Sequence, residues 1–245
     1  MMRRRLLTFT LCLLAFAFSS WWLSQIASMQ EEMIKPDNTQ SVPESFAVTV
    51  EKAKQQRSAE LQVTEVKVDH ESIKLIEELP WLETLILDQG VLTDQSMEHL
   101  VGLEKLRHLR LRKSPITDLG MEAISRINSL WYLNLPHSQC TEIGVAHLKK
   151  LPSLRQLRMG SEKLGNEVVN EIADISSLRS VHLIGVPIND QGVKVLAKMP
   201  NLQSLYLDDS LVSEDGWQWL FSEASHLHIH VNQRHHDRDP DTHEH

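Results

Sequence analysis

Cysteine is almost missing from this 245-residue chain, with only Cys12 and Cys140 present. One lies in an apolar N-terminal run and the other among recurring core positions, so no structural disulfide is expected. A basic excess is also lacking. The formal net charge is −8, whereas a general nucleic-acid binder needs a broad basic surface to neutralise phosphates. No G-x-S-x-G elbow, H-E-x-x-H helix or glycine-rich phosphate loop occurs, and nine glycines serve the whole length. Every serine, histidine and acid is accounted for by a repeat column, a loop or a tail. No catalytic residue is assigned, and the chain reads as a non-enzyme.

What the chain has instead is a period. From Leu79 to about Glu223 one pattern recurs every 24 residues without insertion or deletion. Leu82, Leu106, Leu130, Leu154, Leu178 and Leu202 share a column, followed by Leu85, Leu109, Leu133, Leu157, Val181 and Leu205. Two residues on come Leu87, Leu111, Leu135, Met159, Leu183 and Leu207. A further column reads Leu92, Ile116, Cys140, Leu164, Ile188 and Val212, which makes Cys140 a buried, inert thiol rather than a nucleophile. Counting back one period finds a degenerate repeat at Leu61, Val63, Val68, Ile73 and Ile76, and counting forward finds Ile229 and Val231. Eight strands are thus expected near positions 62, 86, 110, 134, 158, 182, 206 and 230. Aromatics at 5% suit this plan, because stacked layers must fit the same side-chain volume each time.

The L-x-x-L-x-L spelling inside this period resembles the leucine-rich repeat family over roughly 170 residues. The half-repeat Ile116-Thr117-Asp118-x-Gly120-Met121 resembles the T-D-x-G form found in cysteine-containing repeats of F-box adaptors and in bacterial envelope proteins. The resemblance implies an α/β solenoid, a horseshoe with about eight parallel strands on its concave face and short helices on its convex face. It also implies protein recognition as the use of the fold. Physically, Thr117 can cap a helix and Asp118 can complement its N-terminal dipole, as can Thr93-Asp94, Thr141-Glu142, Asn189-Asp190 and Ser213-Glu214. The column after the strand reads Gly90, Ser114, Ser138, Glu162, Val186 and Ser210, so a continuous asparagine ladder cannot form. Val168 stands where four neighbouring repeats have glycine, and that helix is expected to be the least regular.

Alternate strand residues point away from the core. Those toward the middle of the face are His108, Arg110 and Arg112, then Tyr132 and Asn134, then Gln156 and Arg158, with His182 and Tyr206 beyond. They form the candidate partner-binding set. Arg110, Asn134, Arg158 and His182 fall in one transverse row, whose arginines suit a carboxylate, sulfate or phosphate on a partner with an acidic patch.

The ends of the chain carry different signals. Arg3, Arg4 and Arg5 precede an uncharged run from Leu6 to Gln30 that ends beyond Trp21 and Trp22. That is the grammar of a membrane-entering segment. An uncleaved signal anchor over 1–30 would leave the N-terminus cytoplasmic and the repeats outside. Ala15-Phe16-Ala17 offers the alternative of cleavage and a secreted or periplasmic product. A polar linker over 31–43, a capping segment over 44–60 and repeats over 61–231 follow, with Trp217 and Trp219 covering the last layer. Beyond them, 232–245 reads as a disordered His/Asp-rich tail. His226, His228 and His230 alternate along the last strand, so three imidazoles on one face could hold zinc, nickel or copper; otherwise no cofactor is expected. The sequence therefore describes a membrane-anchored, monomeric recognition module, with metal handling or an accessory role in an enzyme complex as alternatives.

Overall fold

A computed structural model describes residues 44–232 together with 234–235. The anchor expected over 1–30 and the linker over 31–43 lie outside the described residues. Among the described residues no helix is long and apolar enough to cross a membrane.

Each repeat opens with a short strand. The strands are β1 (Glu60–Val63), β2 (Thr84–Leu87), β3 (His108–Leu111), β4 (Tyr132–Leu135), β5 (Gln156–Met159), β6 (Ser180–Ile184), β7 (Ser204–Asp208) and β8 (His228–Val231). All eight run parallel in chain order, and the register advances one period per strand: Leu85 pairs with Leu109, Leu109 with Leu133, and so on to Leu205 with Ile229. Because side chains alternate across a strand, L-x-L puts two aliphatic groups per strand on one face. Leu85, Leu87, Leu109, Leu111, Leu133, Leu205 and Leu207 are fully buried there. The opposite side of the core is closed by short helices at Glu98–Val101, Asp118–Ile124, Glu142–His147, Val168–Ala173, Asp190–Leu196 and Glu214–Glu223. Their Leu100, Ile124, Leu148, Ile172, Leu196 and Leu220 column is likewise sealed from solvent.

Both ends of the stack are covered. A helix at Phe46–Gln56 buries Phe46, Val50 and Ala53, and its Arg57 C-cap adopts the left-handed conformation (φ 50°). Trp81 then donates Nε1–H to the Ser58 carbonyl at 2.9 Å, while the Arg57 guanidinium lies 5.1 Å from its ring centre. At the far end Trp217 is 7% exposed, and the Lys194 ammonium lies 5.3 Å from the Trp219 ring centre.

The threonine-aspartate pairs do more than finish their own helices. Asp94 accepts from Thr117 N–H (2.7 Å) and from the Thr117 hydroxyl (2.6 Å). Asp118 accepts from Thr141 N–H (2.7 Å), the Thr141 hydroxyl (2.8 Å) and Gly144 N–H (3.0 Å). Asp190 accepts from Ser213 N–H (2.8 Å) and its hydroxyl (2.6 Å), and Asn166 Oδ1 accepts from Asn189 N–H (3.0 Å). Each acid thus supplies an acceptor to the unsatisfied N–H groups that begin the next helix. The Thr117 hydroxyl makes no bond to its own helix and serves Asp94 instead, which corrects the capping role expected for it.

The glycine of the motif has a steric reason. A Cβ on Gly120 would come within 2.5 Å of Asp94 Oδ1, and Cβ atoms on Gly144, Gly192 and Gly216 would overlap Asp118, Asn166 and Asp190 in the same way. Where the glycine is replaced, the preceding acid is replaced too. Val168 faces the repeat of Glu142, whose longer side chain reaches Gly165 N–H at 3.1 Å, and Ser96 faces His70, 3.3 Å from its Nδ1. The helix after Val168 starts through bonds to residues three back, Val168 to Gly165 and Val169 to Asn166, each 3.3 Å.

The fifth repeat and the C-terminal edge depart from the regular pattern. In the fifth repeat the buried polar residue after the strand is Ser161, bonded to the Cys140 carbonyl at 2.7 Å, and Glu162 is exposed. The shift follows from Gly160, which lets the chain pass between the Pro136 and Ile184 carbonyls, each 2.8 Å from where its Cβ would sit. At the C-terminus, sheet pairing does not stop at 231. Asn232 turns the backbone through the left-handed region (φ 51°), and β9 (Arg234–His235) pairs antiparallel with β8, so part of the expected disordered tail is a hairpin. That strand covers the edge which β8 would leave open.

Candidate functional site

The strand register fixes the outward face. Arg110, Asn134, Arg158, His182, Tyr206 and His230 lie in one line across β3 to β8, with His108, Tyr132, Gln156, Ser180, Ser204 and His228 in the line beside it. The sequence reading therefore assembles correctly along the sheet, but the groups are not equally available. Arg110 donates to Asp88 Oδ2 at 2.7 Å. Asn134 is only 2% exposed between two longer arginines, donates Nδ2–H to the Tyr132 hydroxyl at 2.9 Å and leaves Oδ1 without a protein partner. Asp208, which alternation also places outward, is 5% exposed. Arg112 and half-buried Gln156 remain at the surface.

Arg158, His182 and Asp208 form a chain. Arg158 Nε–H donates to His182 Nδ1 at 3.1 Å, and His182 Nε2 lies 2.9 Å from Asp208 Oδ2. A guanidinium can only donate, so Nδ1 is the acceptor and the proton sits on Nε2, toward the carboxylate. Burial holds His182 below the ordinary imidazole value; the Asp208 hydrogen bond opposes this and the Arg158 charge adds to it. Protonating Nδ1 would place a donor against a donor. Because the folded-state value is depressed, the stability from this neutral ring is complete above about pH 6.5 and is lost as pH falls through the folded-state value. His108 and His137 are depressed by burial as well. A His182→Gln variant should therefore lose less melting temperature between about pH 7.5 and 5.5 than the parent, without becoming pH-independent. An equal loss in both proteins would remove His182 from the response.

Rings stack along the same face. Tyr206 lies parallel to His230 (centroids 4.3 Å apart, 15°) and near His182 (5.3 Å), and Tyr132 meets His108 edge-on at 4.3 Å. All five are partly exposed. Strand alternation places His108, Tyr132, His182 and Tyr206 in the candidate set, while the sequence reading assigns His230 to metal; their contacts with one another are not read from the sequence.

The three-imidazole expectation is not assembled. His226 lies in the turn before β8, while His228 and His230 share the strand with Nε2 atoms 2.7 Å apart. Among the described residues no group of three or more His, Cys, Asp or Glu is placed to hold a metal ion. Cys140 is fully buried, 3.4 Å from the Ser138 hydroxyl, and burial pushes its thiol up to about 11.

A family profile described as "Leucine rich repeat" matches residues 80–139 and 105–164. Among solved structures, internalin C2 from Listeria monocytogenes is 21% identical, covering 76% of this chain and 92% of its own, with a TM-score of 0.54. A leucine-rich-repeat protein of Leptospira interrogans is 19% identical over 64% of this chain and 50% of its own, with a TM-score of 0.43. No curated protein sequence matches. The repeat spelling, the one-strand-per-period sheet and the profile matches over 80–164 support a leucine-rich repeat protein.

Proposed function

We propose that the protein is a membrane-anchored recognition module that binds another protein through the outward face of β3 to β8. The observation that carries the reading is the ring array of His108, Tyr132, His182, Tyr206 and His230, set among Arg110, Arg112 and Arg158. Partly exposed tyrosine and arginine on a rigid sheet are what interface centres are built from, because they bury much area for little lost rotamer freedom. The acidic partner expected from the sequence would meet Arg112 and Arg158 first, since Arg110 already holds Asp88. Anchoring rests on Arg3 to Arg5 and the apolar run behind them, with the repeats outside the cytoplasm or, if the run is cleaved, released there.

The test is a crosslinking pull-down from detergent-solubilised membranes. Tyr206→Ala and Arg158→Glu should each reduce partner recovery at least tenfold, as truncation of a central contact does. Recovery unchanged in both would move the interface off this face. Resistance of the chain to alkaline extraction, with the repeats open to external protease, would support the anchor; a soluble product beginning near Phe18 would refute it.

A further inference from the structure

A second group of cations without an acidic partner lies at the start of the strands. Backbone bonds fix a row there: Arg107 N–H donates to Glu83 O (2.9 Å), Trp131 N–H to Arg107 O (2.8 Å), Arg155 N–H to Trp131 O (2.9 Å) and Arg179 N–H to Arg155 O (2.8 Å). Five adjacent chain segments thus present, in order, an acid, a cation, an indole and two cations, about 4.8 Å apart. A cavity of about 390 Å³ opens along this row, lined by Glu83, Arg107, Trp131 and Arg155 and also by Glu104 and Lys105. Trp131 is 39% exposed. Among the described residues none of Lys105, Arg107, Arg155 and Arg179 enters a salt bridge, whereas Arg110 on the central row does. Arg155 is held in place by its own N–H bonds to the Pro152 and Leu154 carbonyls, at 3.1 and 3.3 Å.

We infer that this edge is a second binding site, for an acidic peptide segment that crosses Trp131 with one carboxylate on each side of the indole. The order of charges selects such a ligand. A carboxylate on each side of the indole would meet Arg107 and Arg155, and Glu83 would repel a third acid beyond Arg107 while Arg179 would welcome one beyond Arg155. The spacing agrees. Two strand separations are about 9.6 Å, and residues three apart in a polyproline II segment project from one side at about 9.3 Å. Desolvated beside an aromatic face, a guanidinium binds a carboxylate bidentately and adds geometric selectivity to charge. The site is separate from the ring array, so either can fail without the other.

The experiment uses the full chain in detergent and a fluorescein-labelled, proline-framed peptide with two glutamates three residues apart and prolines between them. Anisotropy should show saturable binding that weakens as salt rises. Trp131→Ala and Arg155→Glu should each weaken it at least tenfold, while Arg110→Glu, on the central row, should change it less than threefold. A peptide with the glutamates adjacent should bind at least fivefold more weakly. Circular dichroism melts of the variants establish that each remains folded, and Arg155→Lys, which keeps the charge but not the fork, should recover only part of the affinity. No binding at millimolar peptide, indifference to both edge substitutions, or stronger capture of a uronate oligosaccharide than of the peptide would each overturn the assignment.

Discussion

Leu133→Ala should destabilise the protein by about 2 to 5 kcal/mol, measured by denaturant unfolding, whereas Tyr132→Ala beside it should cost about 1 kcal/mol. Leu133 is fully buried in β4 and pairs with Leu109 and Leu157 on either side. Removing its isobutyl group leaves a cavity that neighbouring layers cannot close, because each is already filled by an equivalent leucine and the repeats are held in register by the sheet. Tyr132 is half-buried and would lose an edge-on contact with His108 and one hydrogen bond from Asn134. Equal losses at the two positions would contradict the inward and outward alternation on which the ring-array site depends.

The second large effect concerns Asp118. Replacing it with alanine removes three acceptor contacts and leaves the Thr141 and Gly144 N–H groups without this partner, which should cost about 2 to 4 kcal/mol. Gly144→Ala should also destabilise: helix propensity favours alanine by about 1 kcal/mol, but the new methyl would overlap the Asp118 carboxylate and sit 3.0 Å from Cys140 Cβ. With Asp118→Ala present, the first of those overlaps disappears. The double variant should therefore be more stable than the sum of the singles by about 1 kcal/mol or more, and additivity to within about 0.4 kcal/mol would show that the two residues do not oppose each other.

The contrast between what was and was not legible has a physical cause. Strand positions and the buried face could be read because they depend on side chains repeated at one spacing: Leu82, Leu85 and Leu87 carry the same information in every layer. The Asp118 to Gly144 relation was also written in the sequence, but 26 residues apart, in two different columns, and it became meaningful only when geometry put one repeat's carboxylate against the next repeat's Cα. The outward groups were placed on the correct line, yet their availability depends on which neighbour reaches them first. Arg110 finds Asp88, Arg158 finds His182, and Asn134 disappears between them. Arg107, Trp131 and Arg155 escaped notice because they precede the strand, in a column with no consistent polarity, and only the backbone ladder reveals them as a row. At the C-terminus composition suggested disorder, but one left-handed asparagine sufficed to return the chain onto β8.

The matching of acid to glycine across neighbouring layers also restricts how such a chain can be edited or can have grown. Units of this length are the natural currency of duplication and loss, and the leucine core would accept them in almost any order. The helix side would not. Removing 118–141 would bring Asp94 against Gly144, a pairing of the kind already present. Removing 142–165 would instead drive Asp118 against the Val168 side chain, where Glu142 now leaves room. The repeat that carries Val168 thus tolerates few predecessors, and the order of layers in this protein is specified by pairs of residues that no single layer contains.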